Sequence, residues 1–150
     1  MILRALAPLL ILLLAGCEAR QLQETPAAGA VRNNDYQALT AYLAQGGDPN
    51  AESRDGDALL YLASGPRGGH AVLAVLLEAG ADVNKGARNG RTALMNAAGW
   101  CDAQMVVMLL GAGADARALG PENKTARDSV CSGPLDRRQA VLAIFDAAGS

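Results

Sequence analysis

The chain has 150 residues, 13 of them Lys or Arg and 15 Asp or Glu, for a formal net charge of −2 at pH 7. That balance offers no basic face for a phosphate backbone and argues against a nucleic-acid binder. The length allows one ordinary domain, and a single histidine with three cysteines leaves little for metal or acid–base chemistry.

The chain begins "MILRALAPLLILLLAGCEAR". Arg4 is a short positive start, and Ala5–Ala15 is an uncharged, Leu-rich run of eleven residues. A helix needs roughly 20 apolar residues to span a bilayer, so this run reads as a secretory signal peptide. Its end, Leu14-Ala15-Gly16-Cys17, resembles the lipobox of bacterial lipoproteins. The resemblance implies removal of residues 1–16, acylation of Cys17 and a periplasmic location in a Gram-negative bacterium. Two or three acyl chains anchor firmly, since each buried CH₂ contributes roughly 0.8 kcal/mol. Glu18 stands where Asp would mark retention in the inner membrane, which points to the inner leaflet of the outer membrane. Losing Arg4 and no acid takes 13 bases to 12 against 15 acids, a mature net charge of −3. Residues 17–26 read as the lipidated N-terminus and a polar tether.

Residues 27–150 form the domain, and they repeat themselves. "GGDPN" at Gly46, "GADVN" at Gly80 and "GADAR" at Gly113 are spaced by 34 and 33 residues. A second marker keeps step: "DGDALLYLAS" at Asp55, "NGRTALMNAA" at Asn89 and "ENKTARDSVC" at Glu122. Two markers sharing a period near 33 indicate a solenoid. Before each Gly stand two apolar pairs four residues apart. They are Ala38-Leu39 with Tyr42-Leu43, Val72-Leu73 with Leu76-Leu77, and Met105-Val106 with Leu109-Leu110. That spacing makes one stripe on a helix, and the Gly supplies a left-handed C-terminal residue. A shorter, Ala-rich helix precedes each stripe. Thr92 and Thr125 sit at its N-cap, Asp128 completes a near capping box, and Ala58 leaves the second unit without that cap. One helix pair cannot bury its own stripe, whereas stacked pairs can.

"NGRTALMNAAGWCDAQMVVMLLGAGADAR" resembles an ankyrin repeat almost end to end, and "DGDALLYLASGPRGGHAVLAVLLEAGADVN" resembles a second with one extra residue near "GPRGG". The resemblance implies an all-α solenoid of helix–turn–helix units with β-turn fingers. It divides the domain into a partial repeat 27–54 with a worn first helix, repeats 55–88 and 89–121, and a degenerate capping repeat 122–149. The family's Thr-Pro-Leu-His is replaced by Ala58-Leu59-Leu60-Tyr61, Thr92-Ala93-Leu94-Met95 and Thr125-Ala126-Arg127-Asp128. Arg127, in place of a core Leu, suits a terminal unit with one wet face.

No catalytic, metal or cofactor site emerges. His70 follows Gly69 at an inter-helix turn, a structural position in such repeats. Asp48, Asp82 and Asp115 recur once per unit, which fits backbone bonding in the turn rather than an active site. "GPRGGH" lacks the Lys-Ser/Thr of a phosphate loop; it reads as an inserted loop near the binding face. Cys101 and Cys131 either pair, as an oxidising compartment favours, or are buried as small apolar residues.

Trp100, the one tryptophan, ends a first helix on the concave side that the resemblance assigns to partners. It is either an interaction hot spot or a cover for the insertion. Asn96, Arg88, Arg91, Arg54 and Asp57 share that face or its fingertips, where Glu122 and Lys124 are also expected. The expected function is a lipid-anchored, non-catalytic module that binds a protein, with no small-molecule substrate. Its sharper versions are an immunity protein against a toxin or secreted effector and a chaperone for an envelope enzyme such as a catalase.

Overall fold

The computed structural model describes residues 24–149, so Cys17 and the signal segment lie outside the described residues. Seven α-helices follow one another: α1 Pro26–Arg32, α2 Tyr36–Ala44, α3 Leu59–Ala63, α4 His70–Glu78, α5 Ala93–Gly99, α6 Ala103–Gly111 and α7 Leu135–Ala148. The described residues contain no strand; Glu52 and Ala58 form an isolated antiparallel bridge at the base of one finger. No helix among them is long and apolar enough to cross a membrane. The short helices α1, α3 and α5 stack in one layer, and α2, α4, α6 and α7 stack in a second. This is an all-α ankyrin-repeat arrangement.

The core runs between these layers. Leu39, Val72, Leu73, Leu76, Met105, Val106 and Leu109 are buried from the second layer, and Leu59, Leu60, Leu94 and Met95 from the first. Ala27, Ala28, Ala63, Ala93, Ala97 and Ala98 are buried too, because small side chains let short helices lie close together. Ala38 occupies the register of buried Val72 and Met105 but is exposed, as no unit among the described residues precedes its own.

Caps begin the helices where the sequence supplies them. The Thr25 and Thr92 hydroxyls each accept from a backbone N–H at 3.3 Å, that of Ala28 and of Met95. Asp35 and Asp102 do the same for α2 and α6, accepting from Ala38 and Met105 at 2.9 Å. The second repeat has Ala58 and Gly69 at those places and neither helix is capped by a side chain. With a neighbour on each side, it is held by burial instead.

The recurrent turns form a ladder. Gly46, Gly80 and Gly113 have φ of +85°, +79° and +90°, which a Cβ would strain. Asp48, Asp82 and Asp115 then accept from the N–H groups of Asn50, Asn84 and Arg117 at 2.8, 2.9 and 2.8 Å. Asn50 and Asn84 reach the next unit: their side-chain oxygens accept from Asp82 N–H at 2.7 Å and Asp115 N–H at 2.8 Å. Arg117 ends the series, with no further turn of this kind to tie.

One boundary differs from the sequence reading: residues 24–26 belong to the domain rather than to the tether 17–26, and the worn first helix expected at 27–32 is α1, Pro26–Arg32. Thr25 caps α1, and the Glu24 carboxylate accepts from Arg54 N–H at 3.2 Å while lying 3.4 Å from Arg32 Nε. The period itself marks this start, since Thr25 stands 33 residues before Ala58.

At the other end, the first helix expected after Thr125 is reduced to a single turn, Ala126–Ser129. The capping box is there: Asp128 accepts from Thr125 N–H at 3.0 Å and from its hydroxyl at 2.7 Å. Nothing follows for it to propagate. Ala126 is buried, but Arg127 points outward to pair with Asp146 of α7, and Pro134 soon ends the segment. Cys131, expected at the end of that helix, lies in irregular chain.

Candidate partner-binding cleft

The first helices and the inserted loop line an open cleft of about 400 Å³. Its lining spans three repeats: Arg32 at the end of α1, Tyr61 and Leu62 of α3, Gly65, Pro66 and Arg67 of the insertion, and Asn96 and Trp100 at α5. The volume lies at the lower end of the range for ligand and anchor pockets.

Trp100, in this lining, exposes 55 % of its surface. It closes α5, its N–H donating to Asn96 O at 3.1 Å. The next residue, Cys101, is buried and turns the chain at φ +53°. Cys101 is bonded to Cys131, with Cα atoms 5.6 Å apart. The backbone beneath the indole is thereby fixed to the last repeat. Trp100 lines the same cleft as Pro66 and Arg67 of the insertion, yet more than half of it stays in solvent.

The insertion is held close. A Cβ on Gly68 would come within 1.9 Å of Ala63 O, so that position has no room for any side chain. Asn96 sets the distance between α3 and α5: its amide donates to Tyr61 O at 3.1 Å and to Ser64 Oγ at 3.3 Å. Ser64 is buried and its hydroxyl donates to Tyr61 O at 2.8 Å, so the whole polar group is satisfied inside the protein. Asn96 is therefore a wall of the cleft whose donors are already committed.

The other predicted face residues are not brought together with Trp100. Arg91 lines a separate recess of about 120 Å³ with Met95, Pro121, Glu122, Lys124 and Ser129. Its guanidinium donates to Met95 O at 3.0 Å. Asp57 and Arg88 join adjacent fingers, the Asp57 carboxylate accepting from Arg88 N–H at 3.3 Å. Arg54 lies on the first finger beside Asp55, with Nε 3.6 Å from its carboxylate.

Arg32, Tyr61 and Leu62 were not singled out from the sequence as site residues. Arg67 belongs to the "GPRGGH" insertion that the sequence places near the binding face, and the structure puts it in the cleft lining. His70 takes a structural place: Nε2 is 3.1 Å from both Asp102 carboxylate oxygens, which links the inter-helix turns of two repeats. Among the described residues, no group of three or more His, Cys, Asp or Glu is placed to hold a metal ion.

Charge shifts occur at the last finger. Hydrogen bonding and attraction between Glu122 and Lys124 hold the carboxyl below its ordinary pKa and the amine above its own. The bonds from Thr125 likewise hold Asp128 low. None of these three groups lines the cleft.

A search among curated proteins returned no match. The model for the family "Ankyrin repeats (3 copies)" matches residues 27–119, over half of the chain. Repeats of this kind are protein-interaction modules and typically non-catalytic. With the stacked helix pairs, the left-handed turn glycines and the fingers, that match assigns the chain to the ankyrin-repeat family.

Proposed function

We propose that this protein is a non-catalytic binding module held in the periplasm by lipid on Cys17, and that it engages a protein partner through the cleft around Trp100. The observation that carries the binding half is a tryptophan 55 % exposed at a recess built from three repeats. Trp is enriched among interaction hot spots, and an exposed indole beside a recess leaves apolar surface for a partner to cover. Two features support the location. Leu14-Ala15-Gly16-Cys17 follows an uncharged run of signal-peptide length. Cys101 and Cys131 are bonded, and structural disulfides persist in oxidising compartments.

Affinity capture from membranes, with the lipidated protein as bait, tests the binding half. Trp100→Ala should weaken capture roughly 30-fold, the equivalent of about 2 kcal/mol, while Glu78→Ala on the second-helix side changes it little. An unchanged melting temperature in Trp100→Ala is required for that reading. Loss of capture in Glu78→Ala alone would place binding on the opposite face. For the anchor, Cys17→Ser should yield unprocessed precursor or a released domain. A Ser variant of mature size that still fractionates with membranes contradicts the lipoprotein assignment.

A further inference from the structure

The cleft has a sign. Its lining includes two arginines, Arg32 and Arg67, and no carboxylate. This runs against the chain as a whole, in which acids outnumber bases by 15 to 13. The two cations differ in what they face. Arg32 is engaged inside the domain, 3.4 Å from Glu24 and 3.3 Å from Asp55. Arg67 is exposed on the insertion, and no carboxylate among the described residues pairs with it.

Arg67 shares this lining with the apolar side chains of Pro66, Tyr61, Leu62 and Trp100 as well as with Asn96. The loop that carries the guanidinium is a tight turn, its Gly68 N–H donating to Gly65 O at 3.0 Å and its backbone lying close against Ala63 O. A guanidinium beside aromatic and aliphatic surface binds carboxylates bidentately, and more strongly where water is displaced.

We propose that the cleft takes a polypeptide segment in which a carboxylate side chain neighbours an aromatic or aliphatic anchor. The anchor packs on Trp100, Tyr61 and Leu62, and the carboxylate meets Arg67. This specifies the partner's chemistry and rests on the cleft being the binding face.

The test uses the folded, disulfide-bonded domain and a phage-displayed library of random dodecapeptides, which contain carboxylates but no phosphate. The expected selection is enrichment of Asp or Glu within two positions of Trp, Phe, Leu or Ile. Synthetic versions of the selected peptides should bind Arg67→Glu about tenfold or more weaker and Trp100→Ala roughly 30-fold weaker, with Glu78→Ala unaffected. Selection on Arg67→Glu should replace the acids by Lys or Arg. Melting curves of the variants confirm that each is folded; Arg67, on an exposed loop, serves if Trp100→Ala is not. Peptides that depend on Trp100 but show no acidic preference and ignore Arg67→Glu overturn this inference and leave the cleft as the binding face. Peptides indifferent to both substitutions overturn both. Failure to enrich any peptide overturns the inference.

Discussion

The first and last repeats close the same stack by different means. At the N-terminal end, α1 is a complete helix with a capping threonine, and it buries Ala27, Ala28, Ala30 and Val31. At the C-terminal end, the same part of the unit is one turn with Ala126 buried. What fixes that end is the Cys101–Cys131 bond, the Cys131 N–H donating to Ala98 O at 3.2 Å, and the 14-residue helix α7 with Val141 and Phe145 buried. A terminal unit has one neighbour instead of two, so it buries less per residue. The comparison teaches that local helix chemistry and a covalent tie are alternative answers to the same deficit.

The largest expected effect follows from that tie. Across a sequence separation of 30, the chain-entropy model gives the disulfide about 3–4 kcal/mol of stability. Reducing it, or replacing both cysteines by Ser, should lower the unfolding free energy by that order. Hydrogen exchange should show the loss of protection concentrated in residues 122–149. Equal loss of protection across α1 and α2 would mean that the two ends are not independently secured. Next in size, Val31→Ala removes buried methyls from the N-terminal end and should cost about 2 kcal/mol by denaturant unfolding, with the last repeat unaffected until global unfolding.

The caps sharpen the contrast. Thr25→Ala should cost about 1 kcal/mol, because its hydroxyl begins a helix that buries most of one face. Thr125→Ala should cost at most about half as much, since no helix follows its box. Equal costs in thermal or denaturant melts would show that the box at Thr125 has a further role.

The smallest effect is the response to pH. Asp128 is held below its ordinary pKa by the bonds from Thr125, and Glu122 below its own by Lys124. Both contributions are therefore complete above the ordinary carboxylate pKa and are lost as pH falls through the lowered folded values. Lys124, held high by Glu122, contributes fully below its ordinary pKa and loses that contribution as pH rises through the raised value. On acidification, the backbone NMR shifts of Thr125 and Asp128 should hold through the ordinary carboxylate range and move only below it. All three shifted groups are fully exposed, so global stability should barely change.

Much of the fold was legible because it is written once per repeat. The apolar pairs, the turn glycines and the turn aspartates depend on contacts within about ten residues, and those contacts are the same in each copy. The all-α stack, the second-layer helices, the missing cap at Ala58 and the cap at Thr92 could all be read this way. The start of the first repeat was legible in principle: Thr25 keeps the period, but a short polar stretch after a lipobox also fits a tether. What the pattern does not carry is one-off detail. Arg67 enters the cleft through an insertion found in one unit, and Arg32 and Tyr61 join it from neighbouring helices.

By itself, then, the sequence determined the architecture, because a period near 33 with helical stripes allows only stacked pairs to bury their apolar faces. Tertiary structure decided three things. It brought Cys101 and Cys131 to bonding distance where pairing and separate burial were both open. It shrank the last first-helix to a turn, with Ala126 buried and Arg127 turned outward to Asp146. It gathered Trp100, Tyr61 and Arg67 around one recess while leaving Arg91, Arg88 and Arg54 outside. Each depends on how a unit meets its neighbour roughly 33 residues away, and a repeat pattern fixes that meeting only where the copies agree.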